Sequence, residues 1–252
     1  MLPIQVPGGF RVIAHRGASG YAPENTRAAF ELTEWMGVKE VETDLQLTRD
    51  NQLVLCHDES LDRFGHNGVN IADLPYKQLQ ALDMGSWFSP FLYAGERMIT
   101  LKELFSQFGK RFFYHLEIKT KREEVIRLIM ENLDEFDLHH RVLITCFDDA
   151  VLDTIGTLMP DVPRGWLVGS GCFTQENTIR AAAAGFNQIC PRAEDIREEV
   201  VSIAHKHHME VRAYDVISAQ HVKQVIEAGG DGLTFDRPDW LRHAEFRTGE
   251  AL

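Results

Sequence analysis

From Phe112 to Phe235 the chain repeats one pattern: a short apolar, β-branched run, then a longer run with apolar residues at near-helical spacing. Phe112–Lys119 leads into Arg122–Phe136, Val142–Phe147 into Asp148–Leu158, and Gly165–Val168 into Gln175–Ala184. Gln188–Pro191 leads into Arg197–His208, Val211–Tyr214 into Ser218–Ala228, and Gly232–Phe235 into a short helix near Pro238–His243. Two strand-like runs come earlier. Arg11–Gly17 precedes a helix that Asn25 or Thr26 can cap and that ends near Gly37. Lys39–Thr48 reaches its helix, Thr100–Gln107, only after a detour. Eight such units in 252 residues predict an α/β fold of the (β/α)8 TIM-barrel type. An open doubly wound sheet would want a Gly-rich phosphate loop, which the chain lacks.

The detour has a structure of its own. Only Arg49–Gln52 separates Lys39–Thr48 from Leu53–Asp58, too little for the crossover that parallel neighbours need, so the two runs form a hairpin. A turn centred on Asp50-Asn51 sets His57 opposite Asp44, with Cβ atoms about 5 Å apart. Residues 59–99 then break the rhythm with Gly65, Gly68, Pro75, Gly85, Pro90 and Gly95, and hold one short helix around Pro75–Asp83. They read as a small inserted subdomain after the hairpin extension of strand 2, within a single domain over 1–252.

The net charge of −12 argues against binding nucleic acid or an anionic membrane. It also requires a cation or an arginine in any site that takes phosphate. No apolar run approaches about 18 residues, so no transmembrane segment is expected. Met1–Gly9 lacks the apolar stretch of a signal peptide. Cys56, Cys146, Cys172 and Cys190 are scattered singly, which suits reduced thiols in a cytoplasmic protein better than a disulfide framework or a zinc site. Self-association stays open.

The chemistry gathers at strand ends, where barrel active sites lie. Glu42 and Asp44 share one face of their strand because side chains alternate. Glu117 joins them from the next barrel strand. Three carboxylates within about 5 Å raise at least one pKa unless a cation sits among them. All-oxygen ligation selects one hard divalent ion, Mg²⁺, Ca²⁺ or Mn²⁺. His15 and His57 are the natural proton-transfer pair, one as base and one as acid. Arg16 offers a forked donor for phosphate oxygens, Lys119 adds a second positive charge, and Tyr214 can pack against the apolar part of a substrate. Taken singly, each has a plainer role: Glu117 could pair with Lys119, Arg16 with Glu24, and Tyr214 could be a barrel-top aromatic. Their convergence argues for a site.

Ordered along the chain, these pieces resemble the glycerophosphodiester phosphodiesterase family. The resemblance rests on Ala14-His15-Arg16-Gly17, Pro23-Glu24-Asn25-Thr26, Glu42-Thr43-Asp44, His57-Asp58, Leu61-Asp62-Arg63 and Leu116-Glu117-Ile118-Lys119. Thr145-Cys146-Phe147-Asp148 and the closing run from Asp231 to Pro238 extend it over nearly the whole chain. It implies metal-dependent hydrolysis of a small-molecule glycerophosphodiester to glycerol 3-phosphate and an alcohol. It implies a divalent ion on Glu42, Asp44 and Glu117, with His15 and His57 as acid and base and Arg16 and Lys119 on the phosphate. The chain departs from the family pattern after Asp62, with Arg63-Phe64-Gly65, and after Tyr214, with Asp215-Val216-Ile217.

Two other functions compete. A lysophospholipase D-type enzyme would use Trp87, Phe88, Phe91, Leu92 and Tyr93 as an acyl-binding surface, although such aromatics commonly cover a barrel end. A non-catalytic barrel that binds a phosphorylated ligand would need no pair of histidines.

Overall fold

The structure, a computed structural model, describes residues 2–243. Strand β1 (Ile4–Val6) leads to β2 (Arg11–His15), α1 (Arg27–Trp35), the long β3 (Glu40–Leu47) and its hairpin return β4 (Leu53–Leu55). The insertion holds α2 (Tyr76–Leu79). Then come α3 (Leu101–Phe108), β5 (Phe113–Ile118), α4 (Glu124–Phe136), β6 (Val142–Cys146) and α5 (Asp149–Leu158). β7 (Arg164–Leu167), α6 (Gln175–Ala183), β8 (Gln188–Cys190) and α7 (Glu198–Lys206) follow. β9 (Glu210–Val216), α8 (Ala219–Glu227), β10 (Gly232–Phe235) and β11 (Leu241–His243) complete the described chain.

Eight parallel strands close in the order β2-β3-β5-β6-β7-β8-β9-β10, and β10 pairs back onto β2. This is the expected barrel. Local chemistry sets the helices around it. In α3, Thr100 Oγ1 accepts the Glu103 N–H, and the Glu103 carboxylate accepts the Thr100 N–H at 2.7 Å, a reciprocal N-terminal cap. In α4, Val125, Ile126, Ile129 and Leu133 form the buried stripe. Barrel interiors usually fill with branched apolar side chains. Here part of the interior is polar: Arg11 lies 2.8 Å from Glu40 and 2.9 Å from Glu210, and His115 bonds Glu40 at 2.9 Å.

Three expectations need correction. The hairpin register is shifted by one residue, pairing Leu45 with Leu55 and Leu47 with Leu53, so the partner that register assigns to Asp44 is Cys56. The Thr48 N–H donates to Gln52 O, closing a loop of Arg49, Asp50 and Asn51 in which Asn51 is left-handed at φ 60°. A three-residue loop with a left-handed last position is the next commonest hairpin connection after the two-residue one assumed. The expected helix over Pro238–His243 is a 3-10 turn, Pro238–Trp240, and then β11, which pairs in parallel with β1. The helix around Pro75–Asp83 shrinks to the single turn of α2.

Residues 59–99 carry a small apolar cluster of their own, in which Leu61, Phe64, Ile71, Leu79, Met84 and Met98 pack with Val54 and Cys56 of the hairpin. Trp87 and Phe88 meet edge to face, as do Phe88 and Tyr93, while Phe91 and Leu92 stay 95 % and 77 % exposed. The aromatics thus divide between packing and surface.

Candidate active site

β2 ends at His15 in a tight reversal, with Arg16 at φ 55° and Gly17 at φ 80°. A Cβ on Gly17 would lie 2.8 Å from the Ala29 backbone, so glycine lets α1 close against this turn. The reversal aims the Arg16 N–H at Glu42 Oε2, 3.2 Å away.

Glu42 and Asp44 on β3 and Glu117 on β5 come together because Asp44 pairs directly with Glu117 across the two strands. One potential ligand atom from each lies within 4.8 Å of the others. All three residues are buried; Glu42 Oε1 has neither a hydrogen-bond nor an ion-pair partner, while Asp44 Oδ1 and Glu117 Oε1 meet only the Lys119 ammonium. An orphaned Glu42 oxygen in a cluster of three carboxylates fits a hard divalent cation.

The electrostatics follow from that crowding. Burial and the charge of Asp44 push Glu42 up to about 8. Burial also raises Glu117, again with Asp44 adding to the effect. Burial works against ionisation of Asp44 too, but Arg16 and Lys119 outweigh it and hold Asp44 down at about 2. Arg16 Nε lies 3.0 Å from Asp44, and Lys119 Nζ lies 3.3 Å from Asp44 and 2.5 Å from Glu117. Both cations therefore contact carboxylates of the cluster. Arg16 also makes the plainer pair with Glu24, at 2.8 Å.

Each histidine has its Nδ1 fixed by a carboxylate: His15 by Asp236 at 2.6 Å and His57 by Asp58 at 2.7 Å. That leaves each Nε2 as the free ring nitrogen. His15 Nε2 stands 3.9 Å from Glu42. Burial and Arg16 lower the pKa of His15, but Asp236 and Glu42 raise it more, for a net upward shift. The register shift does not exclude His57, because β4 ends at Leu55 and the chain turns, with Gln46 donating to His57 O at 3.2 Å.

Both histidines, Glu42, Glu117, Lys119 and Tyr214 line one cavity of about 200 Å³ at the C-terminal ends of the strands. Tyr214 stacks edge to face on Phe147 and donates to Val168 O at 3.1 Å. A larger cavity, about 850 Å³, lies at the N-terminal ends of β2 and β3. It holds neither histidine and none of the three carboxylates.

Sequence reasoning missed the residues that hold this site in place. Asn25, part of the family resemblance but given no role beyond a possible helix cap, donates to Asp44 Oδ2 at 2.9 Å and accepts from Thr43 at 2.7 Å. Asp58 continues through Arg63, 2.7 Å away, to Glu24 at 2.8 Å and so to Arg16. The available signal was membership of the family-like runs: Asp58 stands in His57-Asp58 and Asp236 in the closing run from Asp231 to Pro238, though neither run assigns them a role.

The model of the glycerophosphoryl diester phosphodiesterase family matches residues 15–240. The chain belongs to that family. As a member it is a hydrolase of glycerophosphodiesters. A glycerophosphodiester phosphodiesterase of Caldanaerobacter subterraneus is 32 % identical over 239 residues, covering 91 % of this chain and 95 % of the relative. An Oleispira antarctica phosphodiesterase, solved with its product sn-glycerol-3-phosphate, is 29 % identical with a TM-score of 0.82, covering 93 % of this chain and 94 % of that one. A human lysophospholipase D is 31 % identical over 166 residues, 64 % of this chain and 52 % of the relative.

The chain of ion pairs from His57 to Arg16 yields a prediction for this phosphodiesterase. Arg63→Ala frees Asp58 to rotate and Glu24 to leave Arg16. The expected result is a fall in kcat of roughly 10- to 100-fold, the usual cost of losing a supporting partner. Steady-state kinetics on glycerophosphocholine measure it, and full activity in the variant would show that the network is ornamental.

Proposed function

We propose that this phosphodiesterase cleaves glycerophosphodiesters to glycerol 3-phosphate and an alcohol by two proton transfers shared between His15 and His57. The pinning of both Nδ1 atoms by Asp236 and Asp58 carries this reading. A histidine so held keeps one tautomer and one orientation, and presents Nε2 to the reacting atoms. One ring takes the proton of the nucleophile, and the other returns a proton to the departing alkoxide. Each transfer contributes on the order of 10²–10⁴ in rate.

Glu42, Asp44 and Glu117 would hold one divalent cation, Mg²⁺ or Ca²⁺, with Mn²⁺ as the third candidate. When bound, that ion supplies positive charge against the phosphoryl oxygens. Arg16 and Lys119, already at the edge of the cluster, turn donors toward the same phosphate, and Tyr214 packs against the rest of the substrate. Barrel and insertion work as one domain, with residues 59–99 beside the alcohol. Self-association would not change this assignment. All four cysteines are free thiols, which supports a reducing, cytoplasmic setting. No described helix is long and apolar enough to cross a membrane.

A lysophospholipase D-type activity is the second reading, favoured by the exposed Phe91-Leu92 tip of the insertion. A substrate panel separates the two. Turnover of glycerophosphocholine and glycerophosphoethanolamine should exceed that of lysophosphatidylcholine. The opposite ranking would move the assignment to the lysolipid.

A further inference from the structure

Arg212 on β9 is 2 % exposed and is the largest wholly buried side chain among the described residues. Its Nε donates to Gln188 Oε1 at 3.0 Å, its Nη2 to Cys190 Sγ at 3.3 Å, and its Nη1 to Thr234 Oγ1. All three partners are neutral. No carboxylate among the described residues lies within ion-pair distance of it, whereas Arg11, also part of the barrel interior, sits between Glu40 and Glu210. Its neighbour His115, lowered to about 4 chiefly by burial, is uncharged at neutral pH. The Arg212 guanidinium is therefore a buried positive charge without a counter-charge in contact. Such a charge costs stability, and replacing it with an apolar group of similar volume is often neutral or favourable. Folding alone does not account for it.

Its position does. Arg212 lines the same cavity as His15, His57, Glu117 and Lys119. A guanidinium has five N–H donors, of which three are engaged here, so two remain. We propose that Arg212 is an anion-recognition residue that holds the phosphate group from the floor of the pocket and binds the phosphomonoester product more strongly than the diester substrate. The reading rests on the hydrolase function above. A diester carries one negative charge, and a monoester near neutral pH carries about −1.5 to −2. A fixed guanidinium in a poorly solvated site favours the more highly charged anion. Arg212 would thus set the strength of product inhibition.

The test compares the wild type with Arg212→Met and Arg212→Lys, each in full-length protein with Mg²⁺ present. Melting temperature, KM for glycerophosphocholine, and calorimetric affinity for glycerol 3-phosphate are measured for all three. The Met variant should melt at or above the wild-type temperature. It should bind glycerol 3-phosphate more weakly by on the order of tenfold to a hundredfold, the worth of a charge-assisted hydrogen bond, with a smaller rise in KM. The Lys variant, which keeps the charge and loses the fork, should fall between. A folded Met variant with unchanged product affinity would overturn the proposal. So would a Met variant that fails to fold, because the guanidinium would then be structural support. The wild type separates the two levels of the argument. If it binds glycerol 3-phosphate but turns over no glycerophosphodiester, the hydrolase reading fails, while the binding comparison still decides the role of Arg212.

Discussion

His15→Gln and His57→Gln should each lower kcat by on the order of 10²–10⁴ and leave KM within a few-fold of wild type. Glutamine keeps most of the side-chain volume and a polar end, so a loss of this size reports proton transfer more than packing. The effect should be strongly non-additive: the double variant should be little worse than the poorer single one, since the two rings serve one displacement. Asp236→Asn and Asp58→Asn should cost less than the histidines they hold, because each removes an orienting contact of 2.6 or 2.7 Å and leaves the ring in place. Steady-state release of glycerol 3-phosphate measures all of these. A variant of either histidine with wild-type kcat would remove that residue from the pair.

The second large effect is a pH-dependent response to cations. In the cation-free protein, burial and Asp44 hold Glu42 up near 8, against an ordinary value of 4.5. The folded state therefore keeps a proton that the unfolded chain releases near 4.5. Stability from that proton is complete below about pH 4.5 and is lost as pH rises toward 8. A divalent ion replaces the proton and removes the penalty. With EDTA, the melting temperature should fall by roughly 5 °C or more between pH 5 and pH 8, given that 1 kcal/mol corresponds to a few degrees in a chain of this size. With Mg²⁺, Ca²⁺ or Mn²⁺ it should stay nearly level, so the cation-induced shift grows with pH. Asp44→Asn should abolish most of the shift. A cation effect equal at pH 5 and pH 8, measured by scanning fluorimetry, would show that the carboxylates do not hold the ion.

The barrel was legible because each strand of the regular region carries its own helix, and a 3.6-residue stripe such as Val125, Ile129 and Leu133 is hard to mistake. Glu42, Asp44 and Glu117 were legible because alternation along adjacent strands settles which side chains share a face. The hairpin register was not, since two- and three-residue loops through Asp50-Asn51 suit the same residues and differ only in where the left-handed position falls. Strands β1 and β11 are three residues each, too short to show any period. Asp236 lies 221 residues from His15, and no local pattern connects them. Asn25 misled for a different reason: asparagine suits both a helix cap and a left-handed turn, and here it takes φ 55° and bonds Asp44. Arg212 shares strand parity with Tyr214, yet sequence reasoning takes only the terminal aromatic of that strand and passes over the arginine. What alternation could not reveal is that its charge has no partner.

One measurement bears most directly on the central claim: ³¹P NMR of glycerophosphocholine incubated with the purified protein, first in EDTA and then with Mg²⁺, Ca²⁺ or Mn²⁺ restored. The account predicts a silent spectrum under chelation and, on restoring a cation, growth of the glycerol 3-phosphate resonance with no phosphocholine. Turnover undiminished by EDTA, or phosphocholine as the phosphorus-bearing product, would contradict it.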